Sequence, residues 1–296
     1  MRACRFFCTA DAKRDDFAVA AAFLFLYFSL SQLFAVLGGI AVEAGLAFLR
    51  YCLAPLAYVI PVLLAFFLLR REWPLFFVLP KKGGFADALP LLPLFLFCVM
   101  TVSYLSGLAL DALGLASVGG GVSGLGFVPD LFINCLVPAL LEELFFRGLI
   151  LSLLFRRMGN GAVWLSAVVF ALAHGSLYQL PYAFVGGVFL ALAAVVGGSV
   201  FVPFAFHFAN NLLSLALQYV PRGGAVVPIV LAAVALLAVG AVLYMNVRKR
   251  TRATDGLGAL FATPQKDGRA ILRAAFLSPL TFYVILMLLL TVFRSI

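Results

Sequence analysis

Apolar residues run along this chain in long blocks, separated by short polar, basic or glycine-rich stretches. A block of about 20 apolar residues is what a helix needs to cross roughly 30 Å of hydrocarbon. Such blocks lie near 17–40, 51–69, 88–110, 127–155, 162–180, 181–200, 201–220, 225–246 and 274–293. They predict an all-α polytopic membrane protein, a bundle of eight to nine transmembrane helices, with the 181–220 stretch divided at Gly197–Gly198 on length alone. The first block is too long for a signal-peptide core and lacks a small-residue cleavage site, so it reads as a retained first helix.

Composition agrees. Apolar residues make up 65% of the 296, charged residues 11%, and the mean hydropathy is +1.15. A soluble domain carries about 25% charge, so this chain has too little to cover a surface in water. Disorder, a disulfide-stapled secreted module and a nucleic-acid binder are excluded. The net charge of +9 resolves into topology once its placement is read. With the N-terminus cytoplasmic and the C-terminus outside, all 21 Lys and Arg fall on the cytoplasmic side except Arg50, Arg222 and Arg294 outside and Arg147 within a helix. That sorting is the positive-inside pattern. The five cysteines, Cys4, Cys8, Cys52, Cys98 and Cys135, are scattered without a CxxC pair and predict neither a disulfide framework nor a cysteine metal site. Residues 119–126 read as an external glycine-rich loop and 251–273 as a basic cytoplasmic linker.

Ionisable groups inside a membrane helix are expensive and mark function by default. Here they cluster. The fourth block carries Glu142, Glu143 and Arg147, the fifth carries His174, and the seventh carries His207, Asn210 and Asn211; His174 and His207 are the chain's two histidines. Glu143 and Arg147 stand four residues apart, so they can pair on one helix face. Glu142 points about 100° away and is left to face the bundle interior, which suits a carboxylate that takes up and returns a proton. His207 and Asn211 share a face at the same spacing, as do Phe170 and His174. Counting along the helices brings Glu142, His174 and His207 to a common depth, and Pro138 is placed to bend the fourth block toward a water-accessible cavity.

Carboxylate, two imidazoles and a carboxamide suit water activation with oxyanion stabilisation, which is hydrolysis. Other intramembrane hydrolases fit less well. No HExxH is present, and Asp87, Asp111 and Asp130 lie at span ends, unlike an aspartyl dyad. Gly121-Val122-Ser123-Gly124 matches the GxSG of rhomboid serine proteases, with His174 as base, but it lies in a glycine-rich loop where that string arises by chance.

Glu142-Glu143-x-x-x-Arg147, Phe170-x-x-x-His174 and His207-x-x-x-Asn211, in that order, resemble the three-motif signature of the CAAX protease and bacteriocin-processing (abortive-infection) family. That family includes type II CAAX prenyl endopeptidases and lysostaphin-resistance-like proteins. The resemblance covers residues 127–215. It implies an intramembrane endopeptidase with a cavity in the bundle, in which Glu142 and His174 activate a water. His207 and Asn211 would stabilise the oxyanion, while Glu143, Arg147 and Phe170 support the site. Three regions follow: 1–126 with helices 1 to 3, a catalytic core at 127–220, and 221–296 with the last two helices. Glu142, His174 and His207 are also a candidate zinc set. A metal-free mechanism uses the same residues and is preferred, so no cofactor is expected, with zinc the alternative. The expected partners are a membrane-anchored peptide or protein substrate and the bilayer, with no nucleic acid, in a bacterial plasma membrane. A proton-coupled transporter and a non-catalytic immunity or scaffold protein are the alternatives; against transport, no matched pair of Gly- or Pro-broken helices is visible.

Overall fold

A computed structural model describes residues 15–69, 84–115, 122–123, 125–219, 226–251 and 278–295, and among them the chain is helical, with no strand. The helices are α1 (Asp16–Glu43), α2 (Phe48–Leu68), the short α3 (Gly84–Ala88) and α4 (Leu91–Ala112). Next comes α5, unbroken through Phe127–Asp130, Leu131–Leu136, Val137–Glu142, Glu143–Ile150 and Leu151–Met158. Then follow α6 (Gly161–Ala173), α7 (Gln179–Gly197), α8 (Phe201–Tyr219), α9 (Val226–Thr251) and α10 (Pro279–Ser295). The basic linker at 252–273, and residues 119–121 and 124 of the glycine-rich loop, lie outside the described residues.

The chain is an all-α polytopic membrane protein. Helices α1, α2, α4 and α7 are each long and apolar enough to cross a bilayer. Large apolar side chains such as Leu37, Phe67, Leu105, Leu236 and Phe282 point outward. In water that surface would be an aggregation patch; in hydrocarbon it is the solvated face.

Local signals start and stop the helices. The Asp15 side chain accepts from the Phe17 N–H at 3.0 Å and caps α1. Arg156 and Arg157 stand in the last turn of α5, where cations complement the helix dipole, and Arg157 reaches Asp16 of α1 at 4.0 Å. Gly198, in the left-handed conformation at φ +63°, ends α7 and turns the chain into α8.

One expected span is shorter than its apolar block. The block at 162–180 predicts a single crossing, but α6 has 13 residues and stops at Ala173. The last turn tightens, with the Gly175 N–H on the Leu172 carbonyl at 3.0 Å, and Gly175 then takes φ +59°. Thirteen residues rise about 20 Å, short of a roughly 30 Å crossing. His174 therefore caps a helix end, where backbone carbonyls lack helical partners, instead of lying within a continuous span.

Helix α7 packs against both α6 and α4. Its seam against α6 is a row of small residues, Ala183, Gly187 and Ala191, all buried. Membrane helices associate through such close backbone approach rather than through the hydrophobic effect. At Gly187 the approach on α6 is close: a Cβ there would sit 2.9 Å from the Ala167 Cα, whereas at Gly186 it would meet the Val99 and Phe95 side chains at 3.4 and 3.6 Å. Gly187→Ala is therefore expected to cost about 1–3 kcal/mol through forced separation of the two helices. Gly186→Ala should stay close to wild type. Thermal unfolding of the purified variants in detergent checks the contrast.

Candidate active site

Four helices, α5 to α8, bring the polar residues together, and the geometry of α5 sets the arrangement. Its turns at Leu131–Leu136 and Glu143–Ile150 are π-helical, with i→i+5 hydrogen bonding. The first π-turn ends just before Pro138, which has no N–H to contribute to the ladder, so the helix widens there and runs on unbroken. The second covers Glu143 to Ile150 and so contains Arg147. Just beyond it Ser152 donates its hydroxyl to the Arg147 carbonyl, five residues back, at 3.5 Å.

Glu143 and Arg147 pair as their spacing predicts, Arg147 Nη1 donating to Glu143 Oε1 at 2.9 Å, with both side chains fully buried. The same oxygen also accepts from His207 Nδ1 of α8 at 2.8 Å. Arg147 extends the network further. Its guanidinium lies 4.1 Å over the Phe170 ring of α6, and Nη2 reaches the Gly187 carbonyl of α7 at 3.4 Å. One ion pair thus touches all four helices. A cation over an aromatic face gains when it is desolvated, and a fully buried charge needs such partners.

Hydrogen-bond logic fixes both imidazoles. Glu143, paired to arginine, can only accept, so His207 carries a proton on Nδ1 and presents Nε2 to its other side. There it faces Glu142 Oε2 at 4.0 Å, too far for a direct bond. His174 Nδ1 meets the Phe170 carbonyl at 2.9 Å, and a carbonyl also only accepts, so neutral His174 carries its free lone pair on Nε2. The Phe170 ring stands edge-on to both histidines, 4.8 Å from His174 and 6.0 Å from His207. Asn211 lies one turn beyond His207 on α8. Its Oδ1 accepts from Asn210 at 3.4 Å, which leaves its own N–H groups available.

Glu142 is the group left over. Its side chain is 14% exposed, and Oε2 is buried without a hydrogen-bond partner. The family resemblance pairs Glu142 with His174; in the structure the imidazole within ion-pair range of Glu142 is that of His207. Adjacent glutamates leave the helix about 100° apart, and the two edges of one imidazole ring accept that divergence. Among the described residues, no group of three or more His, Cys, Asp or Glu side chains is arranged to hold a metal ion. Glu142, His174 and His207 do not form such a group.

The GxSG serine has another occupation. The Ser123 N–H donates to the buried Asp130 carboxylate at 3.0 Å, and its hydroxyl accepts from the Leu125 N–H at 3.1 Å. Asp130 also accepts from Asn134 at 2.9 Å and Tyr219 at 2.7 Å, which ties the start of α5 to the end of α8. That is a loop anchor, with His174 elsewhere.

Two tyrosines at the site were not legible in the sequence. Tyr27 of α1 and Tyr58 of α2 share a hydroxyl–hydroxyl bond of 2.9 Å, and both act electrostatically with Glu142. In apolar blocks they read as packing aromatics; the one available signal is that a buried phenol needs a partner.

Residues 124–213 match the family described as Type II CAAX prenyl endopeptidase Rce1-like. Over that segment the chain is similar to the Rce1-like family. The segment contains Glu142, Glu143, Arg147, Phe170, His174, His207 and Asn211, while Tyr27 and Tyr58 fall outside it. At family level the Rce1-like assignment is that of an intramembrane CAAX endopeptidase. No curated protein and no solved structure matches the chain.

The buried pair at the centre of this Rce1-like segment makes a direct prediction. Arg147→Met strips Glu143 of its counter-charge, and breaking such a pair costs about 3–5 kcal/mol. The double variant Glu143→Gln/Arg147→Met, with no orphan charge, should recover part of that loss. Denaturation of the three proteins in detergent measures both effects.

Proposed function

We propose that the protein is an intramembrane endopeptidase that hydrolyses a peptide bond of a membrane-anchored protein or peptide without a metal. The observation that supports this reading is Glu142: a carboxylate with a buried, unpartnered oxygen, 4.0 Å from an imidazole nitrogen whose other edge is held by Glu143. Stability alone would pair such a group. A gap of that size takes one oxygen atom hydrogen-bonded to both sides.

In this reading Glu142, assisted by Nε2 of His174, takes a proton from water, and the hydroxide oxygen attacks the peptide carbonyl carbon. The carbonyl π electrons move onto oxygen, and the oxyanion accepts hydrogen bonds from Asn211 and from His207 Nε2 in its doubly protonated form. As the tetrahedral species collapses, the C–N bond breaks and Glu142 returns its proton to the leaving nitrogen. Glu143 and Arg147 take no part in bond making; they hold His207 so that its donor points at the oxyanion.

Protein termini in whole membranes, compared between cells holding wild-type protein and Glu142→Gln at matched abundance, test the activity and name substrates together. Termini that appear only with the wild type are expected. Identical termini, with the variant folded, would sink the proteolytic reading and favour an immunity or transport role. Against a substrate so found, Asn211→Ala should lower kcat by about 10²–10³, the usual cost of one oxyanion donor. Treatment with a strong zinc chelator should leave the rate unchanged; loss restored by zinc would contradict the metal-free mechanism.

A further inference from the structure

Hydrogen-bond accounting around Glu142 leaves one phenolic proton without an assigned acceptor, and two carboxylate oxygens, Glu142 Oε2 and Glu143 Oε2, without a donor. Tyr27 and Tyr58 bring two phenolic O–H donors, and their mutual bond of 2.9 Å uses one of them. The other proton needs an acceptor, since an unpaired hydroxyl is costly away from water. Glu142 Oε2 is buried and has no partner. The two are neighbours. Both tyrosine rings pack on Phe145 and Phe146, at 5.3 and 6.0 Å for Tyr27 and 6.1 and 6.4 Å for Tyr58. Phe145 and Phe146 stand three and four residues after Glu142, on its own face of α5. The second half of α2, which carries Tyr58, packs on both the Val137–Glu142 and the Glu143–Ile150 turns. Both phenols lie within electrostatic reach of Glu142, and of the two only Tyr58 is also within hydrogen-bonding reach of it.

We infer that Tyr58 is a positioning residue for Glu142, donating its hydroxyl proton to the carboxylate while accepting the Tyr27 hydroxyl, so that a two-phenol chain from α1 and α2 holds the reacting group. A carboxylate only accepts, which sets the direction of the chain: Tyr27 donates to Tyr58, and Tyr58 donates to Glu142. The terminal torsion of a glutamate is otherwise broad, and a misplaced base loses rate more than binding. Helices outside the matched segment thereby complete the site within it. The inference rests on Glu142 being the reacting carboxylate of the proposed function.

The test uses the full chain in liposomes and has two independent readouts. Infrared difference spectra between wild type and Glu142→Gln assign the Glu142 carboxyl bands; in Tyr58→Phe those bands should shift, and in Tyr27→Phe they should shift less, in the same direction. With a farnesylated CAAX-type peptide as the probe, or a substrate found from membrane termini, Tyr58→Phe should lower kcat about tenfold with KM unchanged, the scale of one hydrogen bond to a charged group. Unmoved bands in folded Tyr58→Phe overturn the inference. So does a raised KM with unchanged kcat, which would make Tyr58 a substrate contact. If Tyr58→Phe does not fold, Tyr27→Phe decides, because it leaves Tyr58 in place and removes only the outer donor: shifted bands support the chain and unmoved bands overturn it. If the wild type cleaves nothing, the proposed function fails, and the infrared bands alone still decide whether Tyr58 holds Glu142.

Discussion

The Glu143 carboxylate, shared at one oxygen between Arg147 and His207, is the constraint on which the site depends. In lipid neither a lone carboxylate nor a lone guanidinium is tolerable at full burial. Each finds partners on other helices, an imidazole from α8, an aromatic face from α6 and a backbone carbonyl from α7, although Glu143 Oε2 and Arg147 Nε are buried without a hydrogen-bond partner. The ion pair thus fixes how four helices meet and orients the imidazole opposite Glu142. The neighbouring glutamate, to which the proposed function gives the chemistry, has no such counter-charge bonded to it: Glu142 Oε2 is buried without a hydrogen-bond partner and stands 4.0 Å from His207.

Backbone geometry cooperates with that division of labour. A π-turn adds a residue to the helical repeat and is found at functional sites because it re-aims side chains without ending the helix. In α5 such a turn begins at Glu143, directly after Glu142. The early end of α6 does similar work. A histidine at a helix terminus finds a carbonyl for one ring nitrogen and keeps the other free, as His174 does with Phe170. The close seam at Gly187 holds α7 where its carbonyl can reach Arg147.

Much of this was legible before any coordinates, and the parts that were not share a cause. Membrane helices announce themselves through runs of apolar residues, so the spans could be marked within a few residues at most ends. The Glu143–Arg147 pair followed from spacing within one helix, and Glu142 emerged as the odd carboxylate by elimination. What escaped depends on contacts between distant segments. No spacing rule couples Glu143 to His207, 64 residues away, or places Tyr27 and Tyr58 beside Glu142. The end of α6 at Ala173 had a signal in Gly175, but an apolar run on both sides outweighed it. The widened turns of α5 have no sequence mark beyond Pro138.

The central claim is that adjacent glutamates in one helix have opposite roles, Glu143 for structure and Glu142 for chemistry. Paired denaturation of Glu142→Gln and Glu143→Gln in the same detergent tests it most directly, because it needs no substrate. The account predicts that Glu143→Gln loses about 3 kcal/mol or more, having left Arg147 buried without a counter-charge. Glu142→Gln should unfold at or above the wild-type midpoint, because a carboxylate buried without a bonded counter-charge costs stability. If Glu142→Gln were the destabilised protein and Glu143→Gln the neutral one, the roles would be reversed and the account wrong.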